Sequence, residues 1–160
     1  MQPWPAGVER VATFLRTAGA EARIEEFEAE TATAADAALA VGCEASDIVK
    51  SLVFVCDERP VLALLPGDRR GDTTKIAHAA GATQGRVAHA REVTALTGFA
   101  PGAVAPFGLD GIQRVLIDRV LLSHDELWVG AGSTRHMAVL PVRELVRLTK
   151  AAPADLVASD

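Results

Sequence analysis

Val8, Val11, Ala12 and Leu15 fall at helical spacing within "GVERVATFLRTAG", which predicts a helix over residues 7–19 stopped by Gly19. The polar–apolar alternation of "ARIEEFEAE" then predicts a first strand, with Ile24 and Phe27 turned inward. "TATAADAALAVG" has an Ala-rich body, Thr31 and Thr33 as alternative N-caps, and Gly42 at its end, so a second helix is expected there. Ser46 is expected to cap a single turn that delivers the chain into "VKSLVFVC".

That run has the period of a strand, with Lys50, Leu52, Phe54 and Cys56 on one face and Ser51, Val53 and Val55 on the other. Apolar residues occupy both faces, which predicts burial on both sides. The polar turn Asp57-Glu58-Arg59-Pro60 separates it from a second apolar run, so residues 50–56 and 61–65 should form an antiparallel hairpin. Further helices are predicted over "DTTKIAHAAG", with a capping Asp or Thr, and over "AREVTALTG", closed by Gly98. "GFAPGAVAPFGLDG" carries four glycines and two prolines in 14 residues and cannot be regular structure. "QRVLIDRVLL", "ELWVGAG" and "HMAVLPV" read as three more strands, and "PVRELVRLTKA" as a closing helix with Pro141 in its first turn. Helices and strands alternate without a regular βαβ period. The expected fold is α+β: one domain over 1–160, a curved mixed or largely antiparallel sheet surrounded by helices.

Composition narrows the class. With 49% hydrophobic residues and no low-complexity tract, the 160-residue chain can build a core and is not disordered. Its apolar runs are too short to span a membrane, and the N-terminus lacks the pattern of a signal peptide. Two cysteines, Cys43 and Cys56, make no disulfide framework, so a cytoplasmic location is expected. A net charge of −5 argues against broad binding to a nucleic-acid backbone and against DNA as partner, while leaving room for a local basic contact. Arg69, Arg70, Lys75, Arg86 and Arg91 form the densest basic stretch; a solvated surface is the plainer alternative.

No metal site or cofactor is expected. The histidines at 78, 89, 124 and 136 make no i, i+4 pair, and the cysteines stand 13 apart. "GDRRGDTTK" lacks the spacing of a phosphate loop, and "GAGST" puts Ser133 after its glycines with no neighbouring base, unlike a nucleophile elbow. What remains is Lys50 with two glycine-rich loops. Lys50 has a plain alternative as a strand-end residue whose stem is buried and whose head reaches water. Yet a lysine among 13 arginines and three lysines is suggestive, because a compact ammonium approaches one oxygen in a pocket too narrow for a guanidinium. The loops at 98–108 and 130–133 can present bare backbone N–H groups to a ligand, or can be ordinary turns.

Taken together, "IVKSLVFV", "PGDRRGDTTKIAHAAG", "LTGFAPGAVAPFGL" and "WVGAGS" resemble the YbaK/prolyl-tRNA-synthetase-associated editing domain family, in the family's order and over residues 30–150. The resemblance implies a freestanding, barrel-like domain. It also implies a metal-independent trans-editing deacylase that hydrolyses the ester of a mischarged tRNA, with tRNA(Pro) carrying alanine or cysteine as the leading substrate. Lys50 matches the family's key lysine. The loop from Gly98 through Phe99, Pro101, Gly102 and Ala103 to Pro106, Gly102 above all, matches the loop that holds the aminoacyl end. Gly130, Ala131 and Gly132 match a second small-residue turn, continued by Ser133, and Thr31 or Thr33 falls where the family has a pocket-side threonine. Some members carry an acidic residue shortly after that turn; here the stretch is "STRHMAV", where His136 either faces substrate or is a plain strand residue. The implied partners are the 3′ acceptor end of aminoacyl-tRNA and, as a further candidate, prolyl-tRNA synthetase. A non-catalytic tRNA- or synthetase-binding module with the same fold is the competing expectation.

Overall fold

The computed structural model describes residues 4–159. Helix α1 (Ala6–Thr17) buries Val8, Val11 and Leu15, and its chain leads through Ala18–Ala22 into strand β1 (Arg23–Glu26). Helix α2 (Ala34–Val41) starts on Thr33, whose side chain accepts the Asp36 N–H at 3.0 Å, and ends at Gly42 in the left-handed region at φ 83°. A single 3-10 turn follows at Ala45–Asp47. It is capped by Glu44, which trades hydrogen bonds with Asp47, rather than by Ser46.

Strands β2 (Val49–Cys56) and β3 (Arg59–Pro66) form the expected antiparallel hairpin, in register from Val49↔Pro66 to Cys56↔Arg59. Helix α3 (Thr73–Ala79) is capped by Asp72, whose carboxylate accepts from the N–H groups of Thr74 and Lys75. After strand β4 (Gly85–Val87), helix α4 (Ala90–Thr97) ends at Gly98 in the left-handed region, and the irregular loop to Gly111 follows. Strand β5 (Arg114–Asp118) is shorter than the sequence pattern suggests. The Asp118 carboxylate caps Val120 N at 2.9 Å, bending residues 119–123 into a 3-10 turn, and accepts Leu156 N at 2.8 Å. Strands β6 (Glu126–Ser133) and β7 (His136–Pro141), helix α5 (Val142–Thr149) and strand β8 (Ala152–Ala154) complete the chain.

A five-stranded mixed sheet runs β4-β2-β3-β5-β8, with β3, β5 and β8 parallel, and an antiparallel sheet runs β1-β7-β6. Among the described residues a single parallel bridge, Ile48↔Trp128, connects them, and the sheets do not close into a barrel. The larger sheet is buried on both faces. Val49, Val53, Leu62 and Leu64 pack into the main core with β6, β7 and α1, whereas Phe54, Cys56, Ala63 and Leu65 pack against Ile76 and Ala77 of α3.

Two three-residue strands, β4 and β8, have no alternation of their own to betray them. They exist because a neighbour offers a ladder, β2 to one and β5 to the other.

Candidate functional site

Strand β2 changes neighbours along one edge. At its start it bridges to β6 through Ile48↔Trp128, and from Phe54 onward it pairs with β4. Between these points, residues 50–52 have no strand beside them on that edge among the described residues. Val53 turns its carbonyl to this side, accepting Ala88 N–H at 2.9 Å, so Ser51, two residues back, presents its N–H and C=O to the same open edge. A cavity of about 280 Å³ occupies the gap.

Four segments wall it. Ile48 to Leu52 form one side, Thr31 to Ala34 a second, Gly102 and Val104 a third, and Gly130 and Met137 the floor between β6 and β7. Because it opens at a strand edge, both faces of β2 reach it. This part of the strand therefore departs from the expected two-sided burial: Lys50 and Ser51 are half-buried and Leu52 is 37% exposed.

Lys50 donates through Nζ to the carbonyl of Arg69, in the turn after β3. Burial holds its pKa below the ordinary lysine value, opposed by nearby Asp68 and reinforced by Arg70. That turn is in turn propped by the C-terminal segment. Arg69 Nη2 donates to Ala158 O at 3.1 Å, Ala158 N to Arg70 O at 2.8 Å, and Lys75 Nζ to Val157 O at 2.9 Å.

The Gly98–Gly111 loop reaches the cavity only through Gly102 and Val104. Gly102 sits in the left-handed region at φ 83°, against Ala32, and its N–H makes no hydrogen bond to another described residue. The rest of the loop does not line the cavity. Gly98 ends α4, Phe99, Ala103 and Pro106 are buried, and Pro101 is exposed on the outside. Arg10 fastens both ends, lying 4.3 Å over the Phe99 ring and donating to Thr97 O at 2.7 Å and Gly108 O at 2.9 Å. Nothing in the helical pattern of α1 marks Arg10 for this task.

The second small-residue turn divides likewise. Gly130 lines the cavity, and a Cβ there would stand 2.4 Å from Val104 O, so glycine lets the loop lie on β6. Ala131 is in the core, and Gly132 packs on Gly7 across a β-bulge between Gly130 and Ser133. Ser133 Oγ meets His136 Nδ1 at 2.5 Å. His136, only 2% exposed, points away from the cavity to the edge of the Trp4 ring, with Nε2 3.5 Å from Glu26. Burial lowers its pKa, while Glu26 acts in the opposite direction. It is not among the residues that line the cavity.

Both threonines line the cavity, with different duties: Thr33 caps α2, and Thr31 Oγ1 donates to Thr134 O at 2.9 Å, hanging the wall segment from the β6–β7 turn. The structure thus brings Lys50, Gly102, Gly130, Thr31 and Thr33 to one cavity. It also adds apolar walls that the sequence did not single out as site residues: Ala32, Ala34, Val49, Val104 and Met137. The basic stretch is largely engaged within the fold, with Arg86 forked onto Glu92 at 2.7 and 2.8 Å and Lys75 on Asp155 at 3.0 Å. Among the described residues no group of three His, Cys, Asp or Glu is placed to hold a metal ion, and no helix is long and apolar enough to cross a membrane.

Comparisons with known proteins converge on these segments. The model of the aminoacyl-tRNA editing domain matches residues 28–148. A solved structure provisionally described as a trans-editing enzyme for prolyl tRNA synthetase is 37% identical and superposes with a TM-score of 0.90, covering 98% of this chain and 100% of that one. Proline–tRNA ligase of Nitratidesulfovibrio vulgaris is 38% identical over 92 residues, 58% of this chain and 16% of the ligase. That of Lactobacillus gasseri is 33% identical over 90 residues, 56% of this chain and again 16% of the ligase. The chain therefore spans about a sixth of the length of the ligases it matches.

Proposed function

The chain belongs to the aminoacyl-tRNA editing domain family, and on that premise we propose that it is an aminoacyl-tRNA deacylase acting in trans on mischarged tRNA(Pro), with small noncognate residues, alanine and cysteine first, as the esterified amino acids. The observation that carries the reading is the cavity itself, where the edge of β2, Lys50 and Gly102 converge. The likeness to the prolyl-editing structure and to two proline–tRNA ligases supports the choice of tRNA.

An aminoacyl ester is already activated, so the site needs to place it, polarise its carbonyl and admit water. Water adds to the ester carbonyl carbon, and the negative charge that develops on oxygen is met by the Gly102 N–H. The C–O bond to the terminal ribose then breaks, leaving a free amino acid, and the ribose oxygen takes up a proton with help from its vicinal hydroxyl. Lys50 acts as a fixed point charge toward the acceptor-end phosphate or the polar end of the substrate. Its ammonium is held by the Arg69 carbonyl, a geometry suited to positioning rather than nucleophilic attack. Walls of Ala32, Ala34, Val104 and Met137 leave room for a short side chain. A second check is useful because one methylene is worth only about 1–3 kcal/mol to a synthetase pocket.

The test is deacylation of tRNA(Pro) charged separately with alanine, cysteine, serine and proline. Hydrolysis of a small noncognate ester, with prolyl-tRNA spared, is expected. Equal inertness toward all four, in a folded protein, would overturn the proposal.

A further inference from the structure

One edge of β2 is taken along its whole length, by β3 from Val49 to Cys56. The other has no described strand on it between Ile48, bridged to Trp128, and Phe54, paired with Val87. Alternation along the ladder turns the N–H and C=O of Lys50 and Leu52 toward β3. Those of Ser51 face the gap, the side on which the Val53 carbonyl accepts from Ala88 N–H. Ser51 lines the cavity and is half-buried, yet its Oγ has less than 1 Å² of exposed surface. What it shows to the cavity is therefore main chain and Cβ, not the hydroxyl.

An open strand edge is a template for another stretch of main chain. In an antiparallel ladder two facing residues exchange both of their hydrogen bonds, N–H to C=O in each direction. An esterified amino acid carries that complement by itself, an amine that donates and a carbonyl that accepts, one residue apart. We propose that the aminoacyl group docks on β2 as a one-residue strand opposite Ser51, its α-amino group donating to the Ser51 carbonyl and its ester carbonyl accepting from the Ser51 N–H. Facing residues send their side chains to the same side of a sheet. An L residue held this way points its side chain along the face that Val49 and Val53 turn to β6 and β7, where Gly130 and Met137 make the cavity floor. A D residue on the same two bonds sends its side chain to the opposite face, which Lys50 occupies. The edge thus reads the amine and the handedness of the substrate and leaves side-chain size to the walls, in keeping with alanine and cysteine. The pairing rests on the deacylase reading and concerns how the ester is held, not which ester is cut.

The experiment measures kcat/KM on tRNA(Pro) bearing L-alanyl, D-alanyl and propionyl esters, each divided by the spontaneous hydrolysis rate of that ester. It compares the wild type with a protein in which Ser51 is replaced by its α-hydroxy acid counterpart, which deletes the Ser51 N–H and keeps the side chain. The wild type should favour the L-alanyl over the D-alanyl ester, and over the propionyl ester that lacks the amine, by about tenfold or more in each case. The backbone ester should lower the L-alanyl rate about tenfold and bring the L-to-D ratio toward one, which a merely structural role of this peptide group would not do. Equal rates on the L and D esters, or a ratio that the backbone ester leaves unmoved, overturn the pairing while leaving the deacylase reading intact. If the wild type hydrolyses none of the esters, the deacylase reading falls. In that case, or if the backbone ester does not fold, the amide proton of Ser51 decides, observed by NMR with the non-hydrolysable L- and D-alanyl amides of 3′-amino-3′-deoxyadenosine. A downfield shift with the L amide and not the D amide supports the pairing, and a Ser51 proton that neither moves defeats it.

Discussion

Lys50 carries a cost that makes its role separable from folding. Its folded-state pKa lies below the ordinary lysine value of 10.5, chiefly through burial, so the folded chain holds this proton less tightly than the unfolded one. The sign follows: the charged ammonium weakens the fold at neutral pH, and the burden lifts as pH rises through the lowered pKa toward 10.5. Removing the charge should therefore do little harm, the loss of the Arg69 carbonyl's partner being offset by relief of desolvation. Lys50→Met is expected to keep the wild-type urea midpoint within about 1 kcal/mol, while deacylation falls by at least about a hundredfold, as expected when a charge on the substrate is lost. A collapse of stability in Lys50→Met would instead make it a structural lysine. The sequence could show that an ammonium stood in an apolar strand. It could not show that the strand opens there, because the opening depends on where β4 stops and β6 turns away, and neither is encoded near residue 50.

At the scale of elements, the site depends on how closely the Gly98–Gly111 loop lies on β6. Gly130→Ala would place a methyl carbon 2.4 Å from Val104 O, backbone that cannot step aside alone. Overpacking of this kind costs about 1–3 kcal/mol, and the lifted loop carries Gly102 with it, so kcat should drop about tenfold or more; a variant with wild-type kcat and midpoint would refute this packing argument. Helix α5 offers a pH test. Glu144 accepts Glu21 N at 2.7 Å and a forked pair from Arg147 at 2.6 and 3.0 Å, which pull its pKa down to about 2, the Arg147 hydrogen bonds first. A depressed carboxyl contributes stability that is complete above its unfolded value near 4.5 and is lost as pH falls toward about 2. Glu144→Gln should thus lower the denaturation midpoint at pH 7, with the gap to wild type narrowing between pH 4.5 and 2; a gap constant with pH would show the charge to be irrelevant. Long elements were legible because their period repeats: α1, the β2–β3 hairpin, β6 and β7 lie within a residue or two of where the pattern puts them. Short ones were not. At Asp118 a side-chain cap outcompeted an apolar run that reads as continuous strand.

For the whole molecule, the motif segments were legible one by one, but which of their residues face the cavity was not. Alternation across the β6–β7 bulge sends Met137 inward and His136 outward, and one extra residue in a strand reverses such a prediction. The least legible feature is the reach of the C-terminus. Residues past β8 have no period, yet Val157 bridges Gly71 and Ala158 exchanges hydrogen bonds with Arg69 and Arg70, in the turn whose carbonyl holds Lys50. Cutting after Leu156 keeps that fully buried side chain in the core and removes only the prop. The loss of the buried Val157 should cost about 1.5–3 kcal/mol, leaving a folded protein. The freed turn should then show faster amide exchange at residues 69–72 than the full chain, with exchange in β2 and β3 slowed or hastened only by the global change. Since a misplaced charge weakens catalysis steeply with distance, deacylation should fall about tenfold while Lys50 itself remains. Placing Lys50→Met in the shortened chain should add less than it does in the full one, because both changes act through the same ammonium. Full additivity of the two would mean that the tail stabilises the fold without steering the lysine.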